Sequence, residues 1–228
     1  MSANLDLLEV IAHEVRPLLD EIVFVGGATA ELYATLPVLP RIRATTDTDA
    51  VCEATTYVEY AQLGRRLESL GFRQALRHGD PPYRWRSPAG VLDLMPINEQ
   101  VLGFTNPWYT YGVASAVEHT LSGGQSIRIL SPPAYLATKL AAFEGRGKQD
   151  PYLSHDLEDI VALLARRPEL VAEVEAAPAE LHGWVRDRFA EFLTRADAEE
   201  LVGANLPGGA ALAPLRRTLM ERMRLLAS

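Results

Sequence analysis

The chain has one cysteine, Cys52, so no disulfide can form within it. A lone thiol suits a reducing compartment, and a cytoplasmic location is expected. No stretch approaches the roughly 18 consecutive apolar residues that a membrane-spanning helix needs. The opening segment MSANLDLLEVIAHEVRPLLDEI interleaves acids with aliphatics and lacks the basic-then-apolar order of a secretory signal, so no membrane partner is expected. Internal repeats and low-complexity tracts are missing too, which excludes a solenoid. Cations are the minority charge: 22 Lys and Arg stand against 30 Asp and Glu. That balance disfavours a general nucleic-acid coat but leaves a local basic groove open.

What is present divides into two parts. Over residues 1–130, apolar strand-like runs alternate with amphipathic segments. Residues 4–19 read as a helix, 21–27 as a buried strand, 28–36 as a second helix stopped by PVLPR, and 47–53 as a strand. A helix at 57–71 follows, then strands FRQALRH and YRWRS around the turn GDPP, a strand at 90–97, and a hairpin at 119–130 turning at Gly123-Gly124. From residue 131 to 228 the pattern is helical: PPAYLATKLAAFEGRG, HDLEDIVALLARR, and two to four further helices broken near Pro168, Pro178, NLPGG and Pro214. The expectation is an α+β protein, with an α/β core over 1–130 and a helical C-terminal lobe over 131–228.

The stretch RATTDTDAVCE puts Asp47 and Asp49 one residue apart on a strand. Residues two apart share a face, about 6.6 Å from each other, so the carboxylates repel unless a cation lies between them. An exposed acidic edge is the plain reading; a site for a hard divalent cation is the other. Gly26-Gly27 closes the buried strand and opens the next helix, a turn that lets backbone approach a ligand closely or merely turns tightly. Asp93 lies between Leu92 and Leu94 in GVLDLMPI. A carboxylate there is costly unless it binds metal or pairs with one of the nearby arginines.

The order of a strand, a Gly-Gly turn, a helix, an Asp-x-Asp strand and a strand with a third Asp resembles the nucleotidyltransferase superfamily of polymerase-β-like enzymes. Thr45-x-Asp47-x-Asp49, Lys139-x6-Arg146 and Asp156-x-x-Asp159 resemble the AbiE-type abortive-infection toxins more narrowly. Gly27 stands where those toxins usually carry serine. The resemblance covers about residues 21–165 and implies a nucleotidyltransferase-like mixed sheet flanked by helices. It assigns Asp47, Asp49 and Asp93 to Mg²⁺ or Mn²⁺. Gly26, Gly27, Thr45, Lys139 and Arg146 fall to a nucleoside triphosphate, and Asp47, Asp49, Asp93, Lys139, Asp156 and Asp159 to catalysis. By its physics alone, the Lys139/Arg146 pair lies on one helical face, suited to a polyanion or simply solvated. Asp156 and Asp159 could orient those cations, move protons, or form a solvated helix start.

The implied activity is transfer of a nucleoside monophosphate to a hydroxyl of RNA, such as a tRNA 3′ end, or of a protein, in a toxin with a cognate antitoxin partner. Two alternatives stand beside it: transfer to an aminoglycoside-like small molecule, and a catalytically silent nucleotide-binding domain. Arginines 65, 66, 73, 77, 84 and 86, interleaved with Phe72, Tyr83 and Trp85, form either a basic, aromatic RNA surface or an ordinary exposed face.

Overall fold

Ile22, Val23, Phe24 and Val25 offer no polar side chain and are β-branched or aromatic, so they form a strand, β1 (Ile22–Val25), buried throughout. In this computed structural model, residues 2–36, 43–206 and 212–228 are described. The expected helix stop at 37–41 and the break at 207–209 lie outside them. The chain forms two compact units, one of Met1–Glu31 with Ala44–Ser131 and one of Leu32–Arg43 with Pro132–Ser228.

The first unit is built on a seven-stranded mixed sheet among the described residues. Its other strands are β2 (Thr48–Cys52), β3 (Arg73–Gln74), β4 (Arg84–Ser87), β5 (Gly90–Pro96), β6 (Val117–Thr120) and β7 (Ser126–Ile129). Their order is β3-β4-β5-β2-β1-β7-β6. The β2–β5 and β1–β7 pairs are parallel, and the other four are antiparallel. Helix α1 (Ala3–Glu14) buries Leu8, Ile11 and Ala12, and Ser2 caps it by accepting from Leu5 N–H. It stops short of the expected residue 19 because Pro17 has no N–H to donate, and Arg16–Leu18 tightens into a 3₁₀ turn. Helix α2 (Tyr57–Ser69) begins with a reciprocal capping box between Thr56 and Glu59.

Two short helices, α3 (Glu99–Leu102) and α4 (Tyr109–Ala114), occupy a segment with no periodicity long enough to announce them. The expected strand at FRQALRH shrinks to Arg73–Gln74. After it, Arg77 N–H donates to the Asp80 carboxylate, and Pro81 and Pro82 offer no ladder donors.

The second unit is helical. It contains α5 (Pro132–Gly145), α6 (His155–Arg166), α7 (Leu170–Glu175), α8 (Ala179–Leu193), α9 (Ala198–Ala204) and α10 (Ala213–Leu226). The amphipathic stripe of α6 buries Leu157, Ile160, Val161 and Leu164, as its spacing requires. The architecture is α+β. Among the described residues no helix is long and apolar enough to cross a membrane.

Candidate active site

Strands β1, β2, β5 and β4 are successive neighbours, and their registers align one row of residues: Val25, Asp49, Asp93, Arg84. Residues in one row share a face of the sheet. The row therefore sets two carboxylates side by side and ends them with a guanidinium. Asp93 is only 4% exposed, and it is paired rather than stranded. Arg84 Nε donates to its Oδ1 at 2.8 Å and Nη2 to its Oδ2 at 2.7 Å. Nη2 also donates to Asp47 Oδ2 at 2.9 Å. The hydrogen bond to Asp93, opposed by partial burial and aided by the charges of Asp93 and Asp47, holds the guanidinium above its ordinary pKa.

Asp47 lies just before β2 and is fixed from its other side. Thr45 Oγ1 donates to Asp47 Oδ1 at 2.8 Å. Thr45 N–H in turn donates at 2.9 Å to Oδ1 of Asn4, which is buried at the start of α1. The turn after β1 approaches the row from the β1 end. Gly26 has φ +72°, and a Cβ added there would overlap the Asp49 carboxylate. Glycine serves here for both reasons, conformation and space. Thr29 N–H and Oγ1 both donate to Gly26 C=O, at 3.3 and 3.0 Å. Gly27 starts a seven-residue 3₁₀ helix, Gly27–Tyr33, where an α-helix was expected.

Gly26, Gly27, Thr45, Asp47, Asp49 and Asp93 thus belong to the first unit, while Lys139, Arg146, Asp156 and Asp159 belong to the second. Lys139 projects from α5 toward the start of α6. Its Nζ lies 2.5 Å from Asp159 Oδ2 and 3.4 Å from Asp156 Oδ1, and 5.8 Å from the Tyr135 ring centre. Arg146 follows the end of α5 and grips Asp156 with Nε at 2.8 Å and Nη2 at 3.0 Å. Both aspartates are buried. Burial alone would raise the Asp156 pKa, but the hydrogen bond from Arg146 and the charges of Lys139 and Arg146 outweigh it and hold the carboxyl below its usual range. The two cations differ: the Lys139 side chain is 11% exposed and that of Arg146 74%.

Arg84 reads in the sequence as part of a basic surface or an ordinary exposed face, with pairing of Asp93 to a nearby arginine as a further option; it is Arg84 that makes that pair. The pairing Ser87–Gly90, Arg86–Val91 fixes the hairpin register, which sets Arg84 opposite Asp93; that turn was the signal available. The proposed arginine and aromatic surface is also thinner than its sequence. Phe72 and Trp85 are buried, Arg66 pairs with Glu21, and Arg86 pairs with Asp80.

The donor set suits a hard divalent cation, because it offers carboxylate oxygens only, and Mg²⁺ commonly takes one or two carboxylates with substrate phosphates supplying the rest. A cationic group already bridges Asp47 and Asp93. Among the described residues no three or more His, Cys, Asp or Glu side chains converge as a protein-only metal cage.

No protein-family model matches the chain, and no curated protein does. Solved structures do. An antigenic nucleotidyltransferase-like protein from Paracoccidioides brasiliensis aligns over 90% of this chain and 94% of its own, at 21% identity and a TM-score of 0.51. JHP933 from Helicobacter pylori aligns over 100% of this chain and 93% of its own, at 15% identity and a TM-score of 0.48. At 21% identity the first likeness is one of fold: this chain has a nucleotidyltransferase-like α+β fold.

Proposed function

We propose that the protein is a divalent-metal-dependent nucleotidyltransferase that moves a nucleoside monophosphate from an NTP to an acceptor hydroxyl, in the manner of an AbiE-type toxin. The observation that carries this reading is the acidic row itself: Asp49 and Asp93 adjacent in register, Asp47 gathered to them by Arg84, and the Gly26 backbone against Asp49. Asp49 and Asp93 side by side in register repel each other, so their pairing on neighbouring strands needs a compensating cation.

Asp47, Asp49 and Asp93 would hold Mg²⁺ or Mn²⁺, which when bound supplies positive charge to the reacting phosphate and the leaving pyrophosphate. The acceptor oxygen bonds to the α-phosphorus as the bond to pyrophosphate breaks. Each oxygen of Asp93 keeps a lone pair beyond its bond to Arg84, so Asp93 would either share the metal or take the hydroxyl proton. Gly26 and Gly27 present backbone to the triphosphate. In the second unit, Lys139 and Arg146 are given to the nucleotide by the motif resemblance alone; Arg146 is the more exposed of the two, Asp156 holds both cations and Asp159 holds Lys139.

The reading favours RNA, such as a tRNA 3′ end, as the acceptor, a protein hydroxyl as its substitute, and a cognate antitoxin as a binding partner. The test is incubation with each labelled NTP, Mg²⁺ and total RNA. Label should enter RNA and fall on the order of 10³-fold or more with Asp49→Ala. An Asp49→Ala protein as fast as wild type would sink the proposal. The net charge of −8 favours a cationic small acceptor as the second outcome, scored by transfer to an aminoglycoside instead of RNA. Arg84 on two of the three acids favours a silent nucleotide-binding domain, scored by NTP binding without transfer.

A further inference from the structure

We infer that Arg84 is the built-in counter-cation of the acidic row, and that a divalent metal binds only by taking Asp47 away from it. The inference rests on the proposed metal site and concerns how that site is regulated.

The two ion pairs of Arg84 are unequal. Toward Asp93 the guanidinium makes a two-point fork, from the directly opposed position on β4, to a carboxylate that is almost wholly buried. Breaking that pair would leave a desolvated charge without compensation. Toward Asp47 it makes a single bond to a side chain that is 28% exposed and sits outside the strand ladder. Asp47 is therefore the carboxylate that can be released cheaply, and Thr45 keeps it in place when it is.

Arg84 then has two effects. With no metal it offsets the repulsion among the carboxylates and keeps the row assembled. Toward an incoming divalent ion it is a fixed positive charge beside the ligands and a rival for Asp47 Oδ2. Both effects weaken metal binding to the empty protein. A metal arriving with a nucleotide triphosphate brings its own negative charge, so the penalty falls on free metal most. Arg84 thereby biases the site toward the metal–nucleotide complex over the bare ion.

The measurement is Mn²⁺ binding by electron paramagnetic resonance, without nucleotide, alongside thermal unfolding. Arg84→Gln should bind Mn²⁺ at least about tenfold more tightly than wild type, as expected for removal of a unit charge within a few ångström of a divalent ion. It should also unfold at lower temperature without metal and recover with Mn²⁺. Arg84→Lys, which keeps the charge, should stay near wild type. Because Arg84→Gln leaves Asp93 unpaired and can fail to fold, a second comparison sets Arg84→Gln/Asp93→Asn against Asp93→Asn. The double variant should bind Mn²⁺ more tightly than the single one.

Equal or weaker binding on loss of Arg84, in a protein whose Mn²⁺ binding is abolished by Asp49→Ala, overturns this inference and leaves the metal site standing. No saturable Mn²⁺ binding in wild type or either Arg84 variant, or binding indifferent to Asp49→Ala, overturns the metal site and this inference with it.

Discussion

The backbone of Gly26 and the carboxylate of Asp49 are packed so closely that no side chain can stand between them. Gly26 also sits at φ +72°, in the left-handed region that L side chains rarely adopt. The strand-to-turn junction and the acidic row are thus one fitted unit, with the turn shaped by glycine around a charged group. Gly26→Ala should cost about 1–3 kcal/mol in urea unfolding, from the strained φ and the overlap. It should also push Asp49 aside and weaken Mn²⁺ binding. Full stability together with unchanged Mn²⁺ affinity would show that the turn and the carboxylate are independent.

Lys139 and Arg146 invite different expectations despite their shared motif. Lys139 is largely enclosed and neutralises two buried aspartates. Lys139→Ala should therefore destabilise the protein by about 3–5 kcal/mol, because it strands buried charge. The Arg146 side chain is mostly in solvent but holds the buried Asp156, which keeps Lys139 when Arg146 is lost, so Arg146→Ala should cost about 1–3 kcal/mol, less than Lys139→Ala. Its effect should also appear as a raised Michaelis constant for the nucleotide. Chemical denaturation and NTP titration of both variants separate the roles. A stable Lys139→Ala protein with weakened nucleotide binding would return Lys139 to the phosphate-contact role that its sequence spacing suggests.

Asp156 sets an acid limit on stability. Its folded pKa lies below the unfolded value of 3.8, so the folded protein holds this proton less tightly than the unfolded chain. The stabilisation is complete above the unfolded pKa and is lost as pH falls through the folded one. Unfolding free energy followed from pH 7 down through pH 3 should decline at the acid end. Asp156→Asn, which cannot ionise, should start lower at neutral pH and decline less steeply. Parallel acid limbs in the two proteins would assign the acid loss to other carboxylates.

The elements that sequence reveals well are those whose composition decides their state. β1 is a run of β-branched and aromatic residues, β2 and β5 are largely apolar apart from Asp49 and Asp93, and α6 carries a clean apolar stripe, so each followed from local preference. The acids of the row could be singled out because a charge inside an apolar strand is conspicuous. The partners of charged residues were harder to read, since they depend on register and on elements distant in sequence. Arg84 reads as one of several arginines until the Ser87–Gly90 hairpin places it opposite Asp93. Asp156 and Asp159 read as possible partners of Lys139 and Arg146 or as a solvated helix start, and only the packing of α6 against α5 brings Asp156 to both cations. Asn4, which fixes Thr45 from 41 positions away, gives no local signal at all. The short helices α3 and α4 span too few residues for a period to show.

Thr45 offers the sharpest separation between positioning and contact. The motif resemblance gives it to the nucleotide, while its hydroxyl donates to Asp47 Oδ1 and its N–H is held by Asn4. If its task is to hold Asp47 once Arg84 lets go, removing the hydroxyl should loosen the carboxylate and reduce Mn²⁺ affinity severalfold without nucleotide present. Thr45→Val keeps the shape and removes the donor, at a stability cost of about 1 kcal/mol, since Asp47 is partly solvated and water can replace the bond. Thr45→Ser keeps the hydroxyl and should restore Mn²⁺ binding close to wild type. A direct nucleotide contact makes the reverse pattern: Mn²⁺ binding unchanged in Thr45→Val, with the Michaelis constant for NTP raised. Electron paramagnetic resonance titration of the two variants with Mn²⁺ alone, followed by NTP binding, decides between the roles, because only the positioning role acts on the bare ion.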